Sequence, residues 1–298
     1  MSREKEIYKV TLWGSLVNAL LMVLKFLAGV LGNSAAMMAD AVHSVSDFVT
    51  DMVVIAFVRI SSKPKDKSHD YGHGKFETLA TAIIGLALAF AAIGILVSGA
   101  KQIAFWADGG QLPQPSLIAF WAALISIVLK EIIYQYTNRK AKQLDSEAMR
   151  ANAWHHRSDA LTSVAAAAGI GCAIFCGEKW VVFDPIASII VAAFIIKVAF
   201  DLMRNAMGEL MEKSLPDEVE NEILEIVRSV PEVSEPHDLC TRRIGNHYAI
   251  ELHILMDGNL SLNASHAKAT EIENRLKERY GEETHIAVHV EPIEEEGL

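Results

Sequence analysis

The chain has 298 residues, is 51% hydrophobic and carries a formal net charge of −10, and its mean hydropathy is +0.24. This apolar content excludes an ordinary soluble protein of this size and predicts an integral protein of the lipid bilayer. Residues 209–298 hold 21 acidic and 8 basic residues, whereas residues 1–208 hold 16 acidic and 19 basic residues. We therefore predict two domains with these bounds, the second an acidic tail that favours cations and argues against nucleic acid as a partner.

Six apolar segments in residues 1–208 are long enough to cross a bilayer as helices, which takes about 20 residues each. They are approximately Val10–Leu31, Ala35–Ile60, Thr78–Ala100, Ser116–Tyr136, Ala148–Cys176 and Pro185–Met207. Turn-forming residues separate the segments, and Asp184 is predicted to cap the sixth helix with Pro185 in its first turn. The sequence thus predicts an all-α membrane domain of six helices.

Lysine and arginine are concentrated before the first segment and in the loops after the second and fourth segments. Because cytoplasmic loops are enriched in these residues, both termini are predicted to be cytoplasmic. Three lysines lie inside apolar segments. Lys130 is interpreted as snorkelling from a helix end to the interface, whereas Lys25 and Lys197 receive no role from the sequence.

Residues 209–298 change to the amphipathic and alternating patterns of a small soluble domain. The predicted elements are a helix, two strands of a hairpin, a helix and a strand: Pro216–Val230, His237–Arg243, His247–Met256, Leu262–Tyr280 and Thr284–Val290. The order αββαβ predicts an α+β domain of the ferredoxin-like kind.

Two pairs of ionisable residues lie inside apolar segments, His43 with Asp47 and His155 with Asp159. Each pair is spaced i, i+4, which places both side chains on one face of a helix. Ionisable groups in a membrane segment are costly and usually face a partner or a water-filled path. Two imidazoles and two carboxylates meeting between the helices would form a four-coordinate site that suits zinc.

Further polar residues extend these stripes. Asp40 and Asp51 continue the spacing on the second segment, and we hypothesise that they line the two ends of the path. His156 is offset by one position and is the alternative to His155 as a ligand. Because metal must displace protons from imidazole and carboxylate ligands, the site predicts exchange of metal for protons.

At these positions the chain resembles the cation diffusion facilitator family of divalent-metal/proton antiporters. The matching stretches are Asp40–Asp47, His69–Glu77, His155–Asp159 and Asp184 with Pro185, and the resemblance covers essentially the whole chain. It implies a homodimer in a bacterial cytoplasmic (inner) membrane that exports metal by alternating access, driven by inward protons. Within the family, two histidines with two aspartates look like the zinc-selective form of the transport site.

The resemblance also implies metal sites outside the membrane. Asp66, His69 and His73 look like the family's metal site in the loop after the second helix, and solvated histidines around a glycine turn are the alternative. Lys75 matches the family lysine that pairs with an acid after the sixth helix, here Glu212. Such a pair would hold the dimer together, or it would be an ordinary solvated pair.

A tail cluster of two zinc ions at the dimer interface is implied in the same way. The residues that match its ligands are His237, His253, His266, His289 and Glu291, with Asp238 as their partner. The family often has aspartate in place of Glu291. Packing of the dimer without metal is the alternative.

We therefore predict a zinc/proton antiporter in which Zn2+ is both the cargo and the bound tail metal. Two alternatives stay open: the same transporter with iron, manganese, cobalt or cadmium as main substrate, and a membrane zinc sensor that does not transport. His43 argues against manganese, which prefers oxygen ligands, and intact membrane ligands argue against a sensor. The sequence contains no catalytic motif that we could identify, so an enzyme is not expected.

Overall fold

A computed structural model describes the backbone of residues 3–61, 63, 65–143, 147–245 and 247–293. Side chains in these ranges are described except at residues 3–9, 11, 50–61, 147–152, 155 and 158. The chain divides into two compact units, Met1–Met52 with Ile83–Leu202, and Val53–Ala82 with Met203–Leu298. The boundary after residue 208 stays a prediction, and the second unit also takes in the segment after the second helix.

All six predicted membrane helices form. Their bounds are α1 Arg3–Leu31, α2 Ala35–Ser61, α3 Lys75–Ala107, α4 Leu117–Gln143, α5 Glu147–Phe175 and α6 Phe183–Leu210. Among the described residues, 4 stretches are long and apolar enough to cross a membrane: Leu12–Leu31, Lys75–Ala107, Leu117–Gln143 and Glu178–Leu210. The other two helices, α2 and α5, carry the predicted polar stripes, and α5 contributes the shorter apolar stretch Asp159–Phe175.

Small side chains let the helices of the first unit pack closely. Ala28 of α1, Ala36 of α2 and Ala166 of α5 belong to one buried cluster. A Cβ added to Gly169 would lie only 2.3 Å from the Cβ of Ala187 on α6. Large apolar side chains instead cover the outer faces of α1, α3 and α4. Such a distribution is typical of membrane helices, which associate through small residues while lipid solvates the large ones.

The carboxylate of Asp184 caps α2 and not the helix on which it lies. The predicted cap of the sixth helix is therefore wrong, because α6 already begins at Phe183. Asp184 accepts hydrogen bonds from the hydroxyl of Ser34 at 2.6 Å and from the N–H groups of Ala35 and Ala36 at 2.6 and 3.4 Å. The first N–H groups of a helix lack partners within it, so a carboxylate from α6 stabilises the start of α2 and ties the two helices together.

The second unit has the predicted element order αββαβ. Its elements are α7 Asp217–Arg228, β1 Ser234–Ile244, β2 His247–Met256, α8 Leu262–Tyr280 and β3 His285–Pro292. The sheet order is β1-β2-β3, with β1 antiparallel and β3 parallel to β2. Ile250, Leu252 and Ile254 of β2 are buried against α7 and α8. The residues between them, including His253, face the other side of the sheet, because side chains alternate along a strand.

Candidate metal sites

Helices α2 and α5 bring three predicted ligands together within the first unit. The Nε2 atom of His43 lies 3.9 Å from Oδ2 of Asp47 on the same helix and 3.8 Å from Oδ1 of Asp159 on α5. One ligand atom from each residue lies within 4.8 Å of the other two, and His43 and Asp159 are buried. One imidazole and two carboxylates at this spacing have the donor types of a zinc site.

The fourth predicted ligand, His155, lies outside the described side chains, as does Asp51, so both assignments stay predictions. The backbone of His155 lies on α5, one turn before Asp159. The alternative ligand, His156, is buried and faces α1, where a Cβ added to Gly14 would lie 3.4 Å from its Nε2. Among the described side chains, His156 is not part of the group that could hold a metal ion.

Asp40 forms a buried ion pair with Lys25 of α1, whose Nζ lies 2.9 Å from Oδ2. Lys25 also donates to the hydroxyls of Ser44 and Ser163 at 3.0 and 2.9 Å. The hydroxyls of Ser163 and Thr162 donate in turn to Asp40 at 2.8 and 3.1 Å. This polar layer joins α1, α2 and α5. It lies about one turn from His43, Asp47 and Asp159, which we call the metal-ligand group. The side chain of Asp40 is 0% exposed, and its placement at an end of the path stays a prediction.

Lys130 of α4 contacts one residue of the metal-ligand group, Asp159. Its Nζ is 3.3 Å from Oδ2 of Asp159, and the residue is only 2% exposed. The snorkelling interpretation is therefore wrong: the ammonium points inward, where Asp159 supplies a counter-charge that lipid cannot. Lys197, in contrast, is exposed on α6. The pairings of Lys25 and Lys130 were missed from sequence, although the cost of a lysine in an apolar segment already implied a nearby acid.

The loop between α2 and α3 brings Asp66, His69 and His73 together. Asp66 Oδ1 lies 3.6 Å from Nδ1 of His69, and its Oδ2 lies 3.5 Å from Nε2 of His73. Gly72 between the histidines has a φ of 81°, a left-handed conformation that glycine adopts without strain. Hydrogen bonds from the hydroxyl and N–H of Ser68 lower the pKa of Asp66 to about 2. The carboxylate is thus ionised at neutral pH, as a metal ligand requires.

Lys75, the first residue of α3, pairs with Glu212, which follows α6. The other carboxylate oxygen of Glu212 lies 2.8 Å from Nε of Arg242 on β1, a partner that was not predicted. Arg242 also stacks over the ring of Tyr71, 5.2 Å from its centroid. Glu212 therefore joins two cations from distant parts of the chain within the second unit. A role of the pair in holding a dimer stays a prediction.

Three tail histidines lie side by side across the sheet. The strand register pairs His237 with His253, and His253 with His289. Glu291 reaches all three imidazoles, at 3.3 Å from His237, 3.0 Å from His253 and 3.6 Å from His289. Two overlapping groups could each hold a metal ion: His237 with Asp238 and His253, and His253 with His289 and Glu291.

A bulged segment of β1 orients His237. The register shifts on both sides of this residue, and Glu235 and Asp238 have positive φ angles of 44° and 48°. The Nδ1–H of His237 donates to the carbonyl oxygen of Glu235 at 2.8 Å, which raises the pKa of the imidazole. Because a carbonyl oxygen only accepts hydrogen bonds, Nδ1 must carry a proton. In the neutral imidazole the lone pair is then on Nε2, which can bind a metal on the side of Glu291.

His266 is not brought to the tail cluster within one chain. It is exposed near the start of α8, and α8 packs its Ile272 and Leu276 against the face of the sheet that carries Ile250. That face is opposite to the one that carries His253. A ligand role for His266 across a dimer interface stays a prediction.

Two family models match the chain. One, described as the cation efflux transmembrane domain, matches residues 12–211, and the other, described as the cation efflux protein, cytoplasmic domain, matches residues 215–293. Together they span both units of the structure.

Full-length relatives are similar over most of the chain. The manganese efflux system protein MneP of Bacillus subtilis (strain 168) is 35% identical, with 99% of both chains covered. Metal tolerance protein C1 of Arabidopsis thaliana is 32% identical over 91% of this chain and 59% of its own length. Among solved structures, the metal-bound C-terminal domain of the CzcD transporter from Thermotoga maritima is 27% identical, with 27% of this chain and 93% of that chain covered and a TM-score of 0.25.

Proposed function

Because the chain belongs to the cation diffusion facilitator family of cation efflux proteins, we propose that it is a Zn2+/H+ antiporter that moves zinc out of the cytoplasm. Membership of the family by itself makes the chain an integral membrane transporter of divalent metal cations. The more specific proposal, exchange of zinc for protons, is supported by the group of His43, Asp47 and Asp159 between α2 and α5.

The chemistry of this group suits exchange of metal for protons. Metal binding needs a neutral imidazole and ionised carboxylates, so an arriving cation displaces protons. Without the metal, Asp47 and Asp159 would repel each other, and a proton relieves that repulsion. Protons that enter from outside would thus favour release of the metal there. Two alternating conformations, each open to one side, couple the two fluxes.

Zinc is our first choice of cargo because His43 contributes a nitrogen ligand, and the predicted ligand His155 would contribute a second. Manganese is the second candidate, because a relative that is 35% identical is named a manganese efflux protein. Manganese prefers oxygen ligands, and among the described side chains of the group two aspartates supply them. Iron, cobalt and cadmium stay open as other substrates of the same site.

The tail and loop groups extend the proposal to a homodimer regulated by zinc. His237, His253, His289 and Glu291 lie on the face of the sheet that α7 and α8 leave uncovered, so a second copy could complete the site. Metal bound there would stabilise the dimer, and by linkage cytoplasmic zinc would promote its own export. We place both termini, and hence this tail, on the cytoplasmic side of a bacterial inner membrane.

Zinc and manganese flux in proteoliposomes of the full chain, with and without an imposed pH gradient, tests the proposal. Asp47→Asn and Asp159→Asn should each abolish gradient-dependent flux and leave metal binding by the tail intact. Asp201→Asn makes the same change at an exposed position of α6 and should retain flux.

Each result has a distinct reading. Flux that persists in both site variants would refute the site. Manganese flux without zinc flux would keep the transporter and change its metal. Metal binding without flux in the wild type would favour a membrane zinc sensor, a function that needs only the metal ligands of the tail.

A further inference from the structure

The proposed exchange of zinc for protons leaves two buried ammonium groups without a role. Among the described side chains, the polar centre of the first unit holds the carboxylates of Asp40, Asp47 and Asp159 and the ammonium groups of Lys25 and Lys130. With a neutral imidazole, this set carries one net negative charge. A bound divalent cation would turn it into one net positive charge, which is unfavourable in a membrane interior.

The two lysines differ in how firmly they are held. Lys25 has three oxygen partners at 2.9–3.0 Å, from Asp40, Ser44 and Ser163. Lys130 has one partner among the described side chains, Asp159, at the longer distance of 3.3 Å. A fully satisfied ammonium is costly to move, whereas one with a single long contact is readily displaced. The ammonium group of Lys25 is therefore held in place as part of a structural ion pair, whereas the ammonium group of Lys130 can move.

Lys130 also lies beside the place that a metal ion would need. Its Nζ approaches Oδ2 of Asp159, while the other oxygen, Oδ1, faces His43. A cation bound by Asp159 would either share the carboxylate with the ammonium or displace it. The hydroxyl of Ser126, four residues earlier on the same face of α4 and 3.3 Å from the hydroxyl of Ser163, offers the displaced ammonium a polar neighbour.

We propose that Lys130 is a tethered cation that competes with the metal for Asp159 and keeps metal affinity low enough for rapid release. This inference rests on the proposed transport role of Asp159. In the empty site the ammonium compensates that carboxylate, and in the loaded site its positive charge repels the metal. A transported ion must bind well enough to enter and weakly enough to leave, and the positive charge of Lys130 beside the site shifts that balance towards leaving.

Two substitutions at Lys130 should move metal affinity in opposite directions. Lys130→Met keeps the length of the side chain and removes its charge, so the KM for zinc should fall by about tenfold or more, and kcat should fall as release slows. Lys130→Arg should raise KM, because a guanidinium holds a carboxylate through two parallel hydrogen bonds.

The experiment is zinc and manganese flux in proteoliposomes, with KM and kcat determined for both Lys130 variants. Lys197→Met and Lys197→Arg are the matched controls on an exposed face of α6, and their KM values should stay within about twofold of the wild type. A merely structural lysine would raise KM or lower yield in both Lys130 variants. Shifts in the same direction, or no shift in either, would overturn the proposal. If Lys130→Met does not fold, Lys130→Gln removes the same charge with a polar side chain, and its KM for zinc should likewise fall; a raised KM in this variant would overturn the proposal.

Failure of the proposed function can be told apart from failure of this inference. Wild-type flux that is lost in Asp159→Asn but unaltered in the Lys130 variants would refute the role of Lys130 alone. If the wild type binds zinc without transporting it, the antiporter proposal fails. The Lys130 variants then still test the competition through equilibrium zinc binding to the full-length protein, in which Lys130→Met should bind more tightly.

Discussion

Lys25 and Asp40 form an ion pair that is fully closed to solvent, with Nζ of the lysine 2.9 Å from Oδ2 of the aspartate. The pair crosses from α1 to α2, and hydroxyls from α5 complete it. A buried charge is tolerated only when its partner is present, so each residue requires the other. This pair ties α1 to α2 and α5, the two helices that carry the metal-ligand group.

We expect Lys25→Met to lower the free energy of unfolding by about 3–5 kcal/mol, because it leaves Asp40 buried without a counter-charge. The double variant Lys25→Met with Asp40→Asn should recover most of that loss, since no buried charge is then left alone. Reversible unfolding of the full chain in mixed detergent micelles measures both changes. Equal destabilisation in the single and double variants would contradict this account.

Replacing His43 should alter metal preference more than transport itself. His43→Asp exchanges a nitrogen ligand for oxygen, so the preference for zinc over manganese, taken as the ratio of kcat/KM values, should fall by about tenfold or more. His285→Asp makes the same change on β3, outside the metal-ligand groups, and should leave the ratio unaltered. An unchanged ratio in His43→Asp would show that the imidazole does not touch the transported ion.

The close approach of Gly74 to the β1–β2 turn should be sensitive to a single methyl group. A Cβ on Gly74 would lie 2.7 Å from the carbonyl oxygen of Ile244, in a contact that only backbone movement could relieve. Gly74→Ala should therefore lower the stability of the second unit by about 1–3 kcal/mol. Gly94→Ala on α3, where nothing lies within 4 Å, is the control and should be neutral or slightly stabilising. Hydrogen exchange across residues 66–78 and 234–256 measures the effect, and equal protection in both variants would contradict it.

The acid sensitivity of the second unit should depend on Glu222 of α7. Hydrogen bonds from Arg279 and Tyr280 lower the pKa of this carboxyl below its ordinary value. Because the folded-state pKa is the lower one, the ionised form stabilises the fold above the ordinary pKa of glutamate, and this contribution is lost as pH falls through the folded-state value. Hydrogen-exchange protection of α7 should thus decline as the pH falls from about 5 through the lowered folded-state pKa of Glu222.

Glu222→Gln should lose part of that decline, because its side chain no longer titrates. Glu218→Gln, at an exposed position in the first turn of the same helix, is the control and should decline like the wild type. If Glu222→Gln keeps the full pH dependence, another group governs acid sensitivity.

The hydrophobic pattern of the sequence was sufficient to predict the helices and the order of the tail elements. A long apolar run predicts a helix in lipid, and the alternation along Ile250, Leu252 and Ile254 predicts a strand with one buried face. Both patterns are local in sequence, so they can be read without knowledge of the tertiary structure. The i, i+4 spacing likewise placed His43 and Asp47 on one face, and Asp159 meets them as expected.

Partners between helices were harder to predict. Asp184 before Pro185 has the sequence signature of a helix cap, which does not specify whether its carboxylate serves its own helix or a neighbour such as α2. Lys130 lies towards the end of the predicted apolar segment but in the middle of α4, and only packing of α4 against α5 reveals that Asp159 is within its reach. Likewise, the bulges that orient His237 depend on strand register, which the alternation of β1 alone does not define.

The second unit is discontinuous in sequence: Val53–Ala82 belongs with Met203–Leu298, and Ile83–Leu202 lies between them. During synthesis, at about 5–20 residues per second, Tyr71, Gly74 and Lys75 leave the ribosome on the order of ten seconds before their partners Arg242, Ile244 and Glu212. The loop between α2 and α3 therefore waits for these partners while further helices are synthesised. A fragment that begins after α6 would omit these three contacts with the tail, so its stability would underestimate that of the tail in the full chain.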